Sequence, residues 1–186
     1  MKRTLDLLLV IAAGAFFALP AMVVALLVRA TSAGPILYWS DRVGRRNVLF
    51  RMPKFRTMRV DTPAVATHLL RDPASYLTPV GGFLRRTSLD ELPQLWSILA
   101  GDMSVVGPRP ALFNQHDLIA ERTAAGVDSL VPGLTGWAQV NGRDELSIPE
   151  KVRLDAEYAK RQSLLFDLRI IARTGISAIS GQGVSH

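Results

Sequence analysis

Apolar residues run without a charge from Leu7 to Val28, LLLVIAAGAFFALPAMVVALLV, before the chain turns to shorter, mixed patterns. As a straight helix this run measures about 33 Å, enough to cross a bilayer core. It exceeds the roughly 7–15 apolar residues of a secretion signal and has no small-x-small cleavage site directly after it, which argues against a cleaved leader. Pro20 interrupts it, because a proline offers no N–H to the carbonyl of Phe16 and crowds that turn, so a kink or break is expected there. Lys2 and Arg3 precede the run, and Arg29, Arg42, Arg45 and Arg46 follow it. Positive-inside bias therefore draws both ends to the cytoplasmic side. A straight span satisfies the length; a helix–break–helix that dips into one leaflet satisfies the charges.

Beyond the turn at Thr31–Pro35, the stretch ILYWSDRVGRRNVLFRMPKFRTM reads as two extended runs around a loop at Gly44, a β-hairpin. Val60 to Pro79 is a mixed connection with a short helix expected near Ala64–Arg71. Leu92, Leu95, Trp96 and Leu99 recur at i, i+3, i+4 and i+7, which predicts a helix packing that face on the core, with Gly101 just past its end. A further helix is expected from Asn114 to about Ala125. VPGLTGWAQVNGR reads as a glycine-rich loop with an Asn-Gly turn, and IPEKVRLDAEYAKRQ returns to helical spacing. The tail LLFDLRIIARTGISAIS suits either a helix on a membrane surface or a buried terminal helix.

The remaining composition narrows the chemistry. The 186 residues suffice for one domain with an appendage. No cysteine is present, which excludes disulfides, thiol nucleophiles and thiolate metal sites, and the three histidines are scattered without ligand spacing, so any metal would be held by oxygen. A formal net charge of +6 favours anionic partners.

Candidate chemistry centres on RRTSLDELPQLWSILAGDMSVVGPRP, where Asp90 and Glu91 stand side by side downstream of Arg85 and Arg86. Ser88-Leu89-Asp90-Glu91 also fits a capping box, in which Ser88 caps a helix and Glu91 reaches back to it. Pro93 weakens that account, since it would remove a bond in the first turn. Adjacent helical side chains diverge by about 100°, so both acids face one site only near a helix start or a distortion, where Pro93 places them. Lys54, Arg56 and Arg59 alternate along PKFRTMR, Arg109 is stiffened between prolines in GPRP, and Arg143 follows the Asn141-Gly142 turn. Cations in such irregular segments fit a diphosphate pocket better than a nucleic-acid stripe.

The stretches KFRTM (54–58), TSLDELPQLWSILAGDMSVVGPRP (87–110), PGLTGWAQVNGR (132–143) and DAEYAKRQSLLFDLRII (155–171) together resemble the bacterial sugar transferases of the small monotopic phosphoglycosyl transferase family. They come in the family's order and cover most of the chain. The resemblance implies an α+β fold, mainly helical with a short hairpin. A re-entrant membrane helix broken at Pro20 would occupy residues 1–30. A catalytic domain, residues 31–186, would lie on the cytoplasmic face of the bacterial inner membrane with amphipathic helices at the interface. It implies transfer of a sugar 1-phosphate from a UDP-sugar to polyprenol (undecaprenyl) phosphate, with release of UMP, at the start of a surface glycan assembled by downstream glycosyltransferases.

Position by position, Asp90 matches the family's nucleophile and its expected Mg²⁺ ligand, and Glu91 matches the acidic neighbour, with a role in metal or proton handling. Arg85 and Arg109 match phosphate-binding arginines, and Lys54, Arg56 and Arg143 fall on motifs suited to substrate contact. Two departures stand out: Leu19 precedes Pro20 where a serine is frequent, and Ser97 stands where an asparagine is common. An ionised aspartate needs no general base to attack phosphorus; its obstacle is the donor's negative charge, which Mg²⁺ and guanidinium groups would neutralise. The rival from another class is a basic single-span membrane protein that binds nucleic acid or anionic lipid without catalysis. A nearer one is direct attack by the lipid phosphate in a single ternary step.

Overall fold

A computed structural model describes residues 1–63, 72–142 and 145–180, with side chains through 176. The expected helix at 64–71, and Arg143, lie outside the described residues. The apolar run forms one 30-residue helix, α1 (Lys2–Thr31), which continues through Pro20. It is long and apolar enough to cross a bilayer. The hairpin follows as expected: β1 (Leu37–Val43) pairs antiparallel with β2 (Leu49–Phe55) around the Gly44 loop. Then come α2 (Gly81–Arg86), α3 (Gln94–Ala100), β3 (Ser104–Val106), α4 (His116–Ala124), β4 (Gly133–Thr135), α5 (Ile148–Arg161) and α6 (Leu164–Ser180). The fold is mostly helical α+β.

Two sequence expectations change. The stretch read as a glycine-rich loop contains β4, which pairs in parallel with β3. Two three-residue strands carry too little alternation to be seen in sequence, and their glycines serve close approach: a Cβ on Gly133 would stand 2.1 Å from the Gly107 nitrogen. Gly101 does end α3, in left-handed conformation, but only half of the predicted apolar face packs on the core, Leu92 and Leu95 at its edge. Ile98, Gln94 and Ser97 point inward, while Trp96 is 64% and Leu99 41% exposed. Sequence periodicity cannot separate an apolar stripe that faces the core from one that faces outward.

Both ends of α1 are bound into the same domain. At its start, Lys2 Nζ donates to Asp167 of α6 at 2.7 Å, and Arg3 donates to the carbonyls of Ile98 and Leu99 at the end of α3. Buried Asp6 accepts from Ser104 Oγ and from the Val105 N–H at 3.0 Å. Val10 joins Met52, Ile98 and Met103 in one core cluster. At its end, Val24 and Val28 pack with Phe55 and Leu84 in another. Between these contacts Ile11, Phe16, Leu19 and Met22 are exposed. A third cluster gathers Val106, Trp137, Leu154, Tyr158, Phe166 and Ile170 behind the β3–β4 pair. Asp167 is tied further by the Tyr158 hydroxyl at 2.8 Å, so α6 is partly a buried helix. Its Leu165 and Leu168 nevertheless remain exposed.

Candidate active site

The acidic pair sits on a single 3₁₀ turn, Leu89–Glu91, between α2 and α3. Ser88 enters it with φ 55°, a left-handed conformation that costs a non-glycine residue free energy. The capping box that the spacing allowed, and that Pro93 argued against, does not form: Ser88 makes no side-chain cap bond, and the Glu91 carboxylate is taken by cations instead. Pro93 stands just before α3, where its missing N–H interrupts no helical bond. Among the described residues a capping box forms at Ser147–Glu150, at the start of α5.

Lys54, near the end of β2, donates from Nζ to Glu91 Oε1 at 2.9 Å and lies 4.0 Å from Asp90 Oδ2. Arg109 donates to the same Glu91 oxygen. Arg85, in the last turn of α2, bonds Thr57 Oγ1 at 3.0 Å and adds a positive field at Asp90. The structure thus brings Lys54, Arg85 and Arg109 around Asp90 and Glu91. It does not bring Arg56 with them. The extended run ends at Phe55, and Arg56 turns into the protein, where it is 4% exposed. There it donates to the carbonyls of Pro35 at 2.7 Å and Ser32 at 3.0 Å, clasping the chain that leaves α1. Arg59, its expected neighbour on that face, pairs at the surface with Asp61.

The two acids have opposite electrostatics. Burial pushes the Asp90 carboxyl above its ordinary value; Lys54, Arg85 and Arg109 oppose that, while Glu91 adds to it. Burial also acts upward on Glu91, but Arg109 and Lys54, by charge and by hydrogen bond, hold it well below the usual carboxylate range. Glu91 is therefore a firmly ionised counter-charge, and the ionisation of Asp90 depends on the cations around it.

Sequence reasoning treated Arg42 only as a charge flanking the membrane run. It alternates with exposed Asp41, on the same face of β1 as buried Ser40, and bonds Ser40 Oγ at 3.0 Å and the Pro110 carbonyl at 3.2 Å. The signal available beforehand was that period of two along the hairpin. At the departures from the family pattern, Leu19 is exposed on α1, and Ser97 Oγ is buried without a hydrogen-bond partner, as is Gln94 Nε2 one turn before it.

Residues 1–181 match the family model described as bacterial sugar transferase. The chain belongs to that family. It is 37% identical, over 94% of its length, to a UDP-galactose-lipid carrier transferase of Erwinia amylovora, and covers 39% of that protein. It is 36% identical to the exopolysaccharide production protein ExoY of Sinorhizobium fredii over 93% of this chain and 83% of the relative. To the UDP-glucose:undecaprenyl-phosphate glucose-1-phosphate transferase of Escherichia coli it is 39% identical over 81% of this chain, which spans 34% of that relative. The family match takes in every segment of the site, from the start of α1 to α6.

Proposed function

We propose that this protein transfers a sugar 1-phosphate from a UDP-sugar to polyprenol phosphate, through a covalent intermediate on Asp90, at the cytoplasmic face of the bacterial inner membrane. The observation that carries the reading is Asp90 itself, a 6%-exposed carboxylate beside an ionised Glu91 and inside a group of three cations. Relatives that are named as UDP-sugar or undecaprenyl-phosphate transferases support the substrate class.

In the first step an Asp90 oxygen attacks the sugar-bearing phosphorus of the donor. The bond from that phosphorus to the bridging oxygen breaks, and UMP departs with the electron pair. A phosphate oxygen of the lipid then attacks the same phosphorus and displaces the Asp90 carboxylate, which leaves a lipid diphospho-sugar and the original enzyme. Arg85, Arg109 and Lys54 offset the charge of the diphosphate and of departing UMP, the main task in phosphoryl transfer. Glu91 holds Lys54 and Arg109 in place; its depressed pKa fits that duty better than proton donation.

Magnesium suits the donor set in one form. Among the described residues no three acidic or histidine side chains gather to hold a metal, and Glu91 is committed to two cations. Mg²⁺ commonly takes one or two carboxylates and completes its shell with substrate phosphates and water, so Asp90 together with the diphosphate would hold it. Bound there, it would supply Lewis-acid stabilisation of the phosphoryl oxygens.

The one-leaflet placement rests on α1. A straight 30-residue helix is about 45 Å long, so one that crossed a bilayer would carry Lys2 far from the domain that follows Thr31. Lys2, Arg3 and Asp6 instead join the same domain as Val24 and Val28. A helix that bends at Pro20 without unwinding and dips into one leaflet would keep both ends with the domain, immerse the exposed apolar middle, and set Asp90 at the height of the acceptor's headgroup.

Release of UMP from a panel of UDP-sugars, with polyprenol phosphate in vesicles, tests the reading. Labelled phosphosugar should remain on the protein when acceptor is omitted, and Asp90→Asn should trap none. Turnover only when both substrates are present, with no trapped adduct, would favour the single ternary step.

A further inference from the structure

Prolines 108 and 110 deprive the chain on either side of Arg109 of two N–H groups, so this segment cannot be fixed by an ordinary strand ladder. It is fixed through its carbonyls. The carbonyl of Pro108 accepts from the Gly133 N–H of β4 at 2.9 Å, and that of Ala111 accepts from the Val43 N–H of β1 at 2.9 Å. Between them, the Arg109 carbonyl accepts from Arg122 Nη1 at 2.8 Å, and the Pro110 carbonyl from Arg42 Nη1 at 3.2 Å. Four successive carbonyls are thus each held by a donor from outside the segment, two of them by guanidinium groups.

Each of those guanidiniums is itself braced. Arg122, on α4, gives Nε and Nη2 to Asp155 Oδ2 at 3.0 and 2.6 Å, and Asp155, on α5, is 1% exposed. Arg42 gives Nε to Ser40 Oγ. A planar fork serves two acceptors in fixed directions, which an ammonium on a flexible stem does not reproduce.

We propose, resting on the transferase reading above, that Arg42 and the Arg122–Asp155 pair are positioning residues: they fix the main chain at Arg109 so that its guanidinium meets Glu91 and the diphosphate of the donor. This gives a role to Asp155, which belongs to the DAEY stretch and touches none of the reacting groups. Arg42 also shares the electrostatic field of the site. Burial lowers its pKa to about 10, Arg109 acts in the same direction, and Glu91 opposes both.

The test uses the full-length protein in vesicles. Arg42→Lys keeps the charge and loses the fork, and Asp155→Asn removes the brace of Arg122. Each should lower kcat for UMP release by about 10²-fold, the scale of a misplaced stabilising group, with donor KM little changed. In an Arg109→Ala background the same substitutions should cost almost nothing further, because residues that act as a unit are not additive. Equal losses in both backgrounds, or wild-type turnover in Arg42→Lys, would overturn the proposal. A substrate-free readout separates its failure from that of the functional reading. Amide hydrogen exchange in peptides spanning 107–113 should speed up in both variants, and unchanged exchange sinks the clamp whether or not the wild type releases UMP. Should Asp155→Asn fail to fold, Arg42→Lys and Ser40→Ala decide the matter by the same two measurements.

Discussion

Lys54 Nζ stands 2.9 Å from Glu91 Oε1, within hydrogen-bond distance, and only its longer-range field, at 4.0 Å, reaches Asp90. The neighbour takes the hydrogen bond while the proposed nucleophile takes the charge. That division separates the roles of two acids adjacent in sequence.

Replacing Asp90 by Asn should lower UMP release by about 10³-fold or more, the scale of losing a covalent nucleophile. Thermal stability should hold or rise, because the substitution removes a charge that burial disfavours. Melting curves beside turnover assays check both halves; a turnover near wild type would remove Asp90 from the mechanism.

Glu91→Gln should behave in the opposite way. It leaves Lys54 and Arg109 facing each other without their counter-charge and should destabilise by about 1–3 kcal/mol. That is below the figure for a fully buried pair because the Arg109 side chain is 37% exposed. Denaturant titration measures the loss.

The pH dependence separates the acids as well. Because the folded Glu91 carboxyl is depressed, its contribution to stability is complete above the ordinary 4.5 and is lost as pH falls through the folded value. Acid unfolding of the wild type should therefore be steeper below pH 4.5 than that of Glu91→Gln. For Asp90 the shift is upward, so the acid limb of kcat/KM in the free enzyme should lie above the ordinary 3.8.

Arg56→Ala should cost about 1–3 kcal/mol, through the carbonyls of Pro35 and Ser32 left unsatisfied. Donor KM of the folded protein should stay near that of the wild type. A donor KM that rises without loss of stability would instead return Arg56 to the substrate.

Topology can be read with single cysteines, since the chain has none. Thr4 and Asp41 are exposed near either end of α1, whereas Lys2 is ion-paired and Ser40 is buried. Thr4→Cys and Asp41→Cys in sealed, oriented vesicles should react with an impermeant maleimide from the same side. Reaction from opposite sides would establish a span.

Most of the larger pieces are written in local pattern. An uncharged run of 22 residues makes a membrane-length helix, Gly44 between two extended runs makes a hairpin, and Gly101 ends α3, because each depends on local backbone preference or on periodicity. The acidic pair stood out by its neighbours in sequence, whereas the roles given to it came from the resemblance of its motifs to a known family. Tertiary structure decided the rest. It chose which face of α3 is buried, paired β3 with β4 across 26 intervening residues between Val106 and Gly133, sent Arg56 to a backbone clasp, and brought Arg42 and Arg122 to consecutive carbonyls. These depend on where other elements place their unsatisfied donors and acceptors in space, and no pattern of neighbours along the chain carries that information.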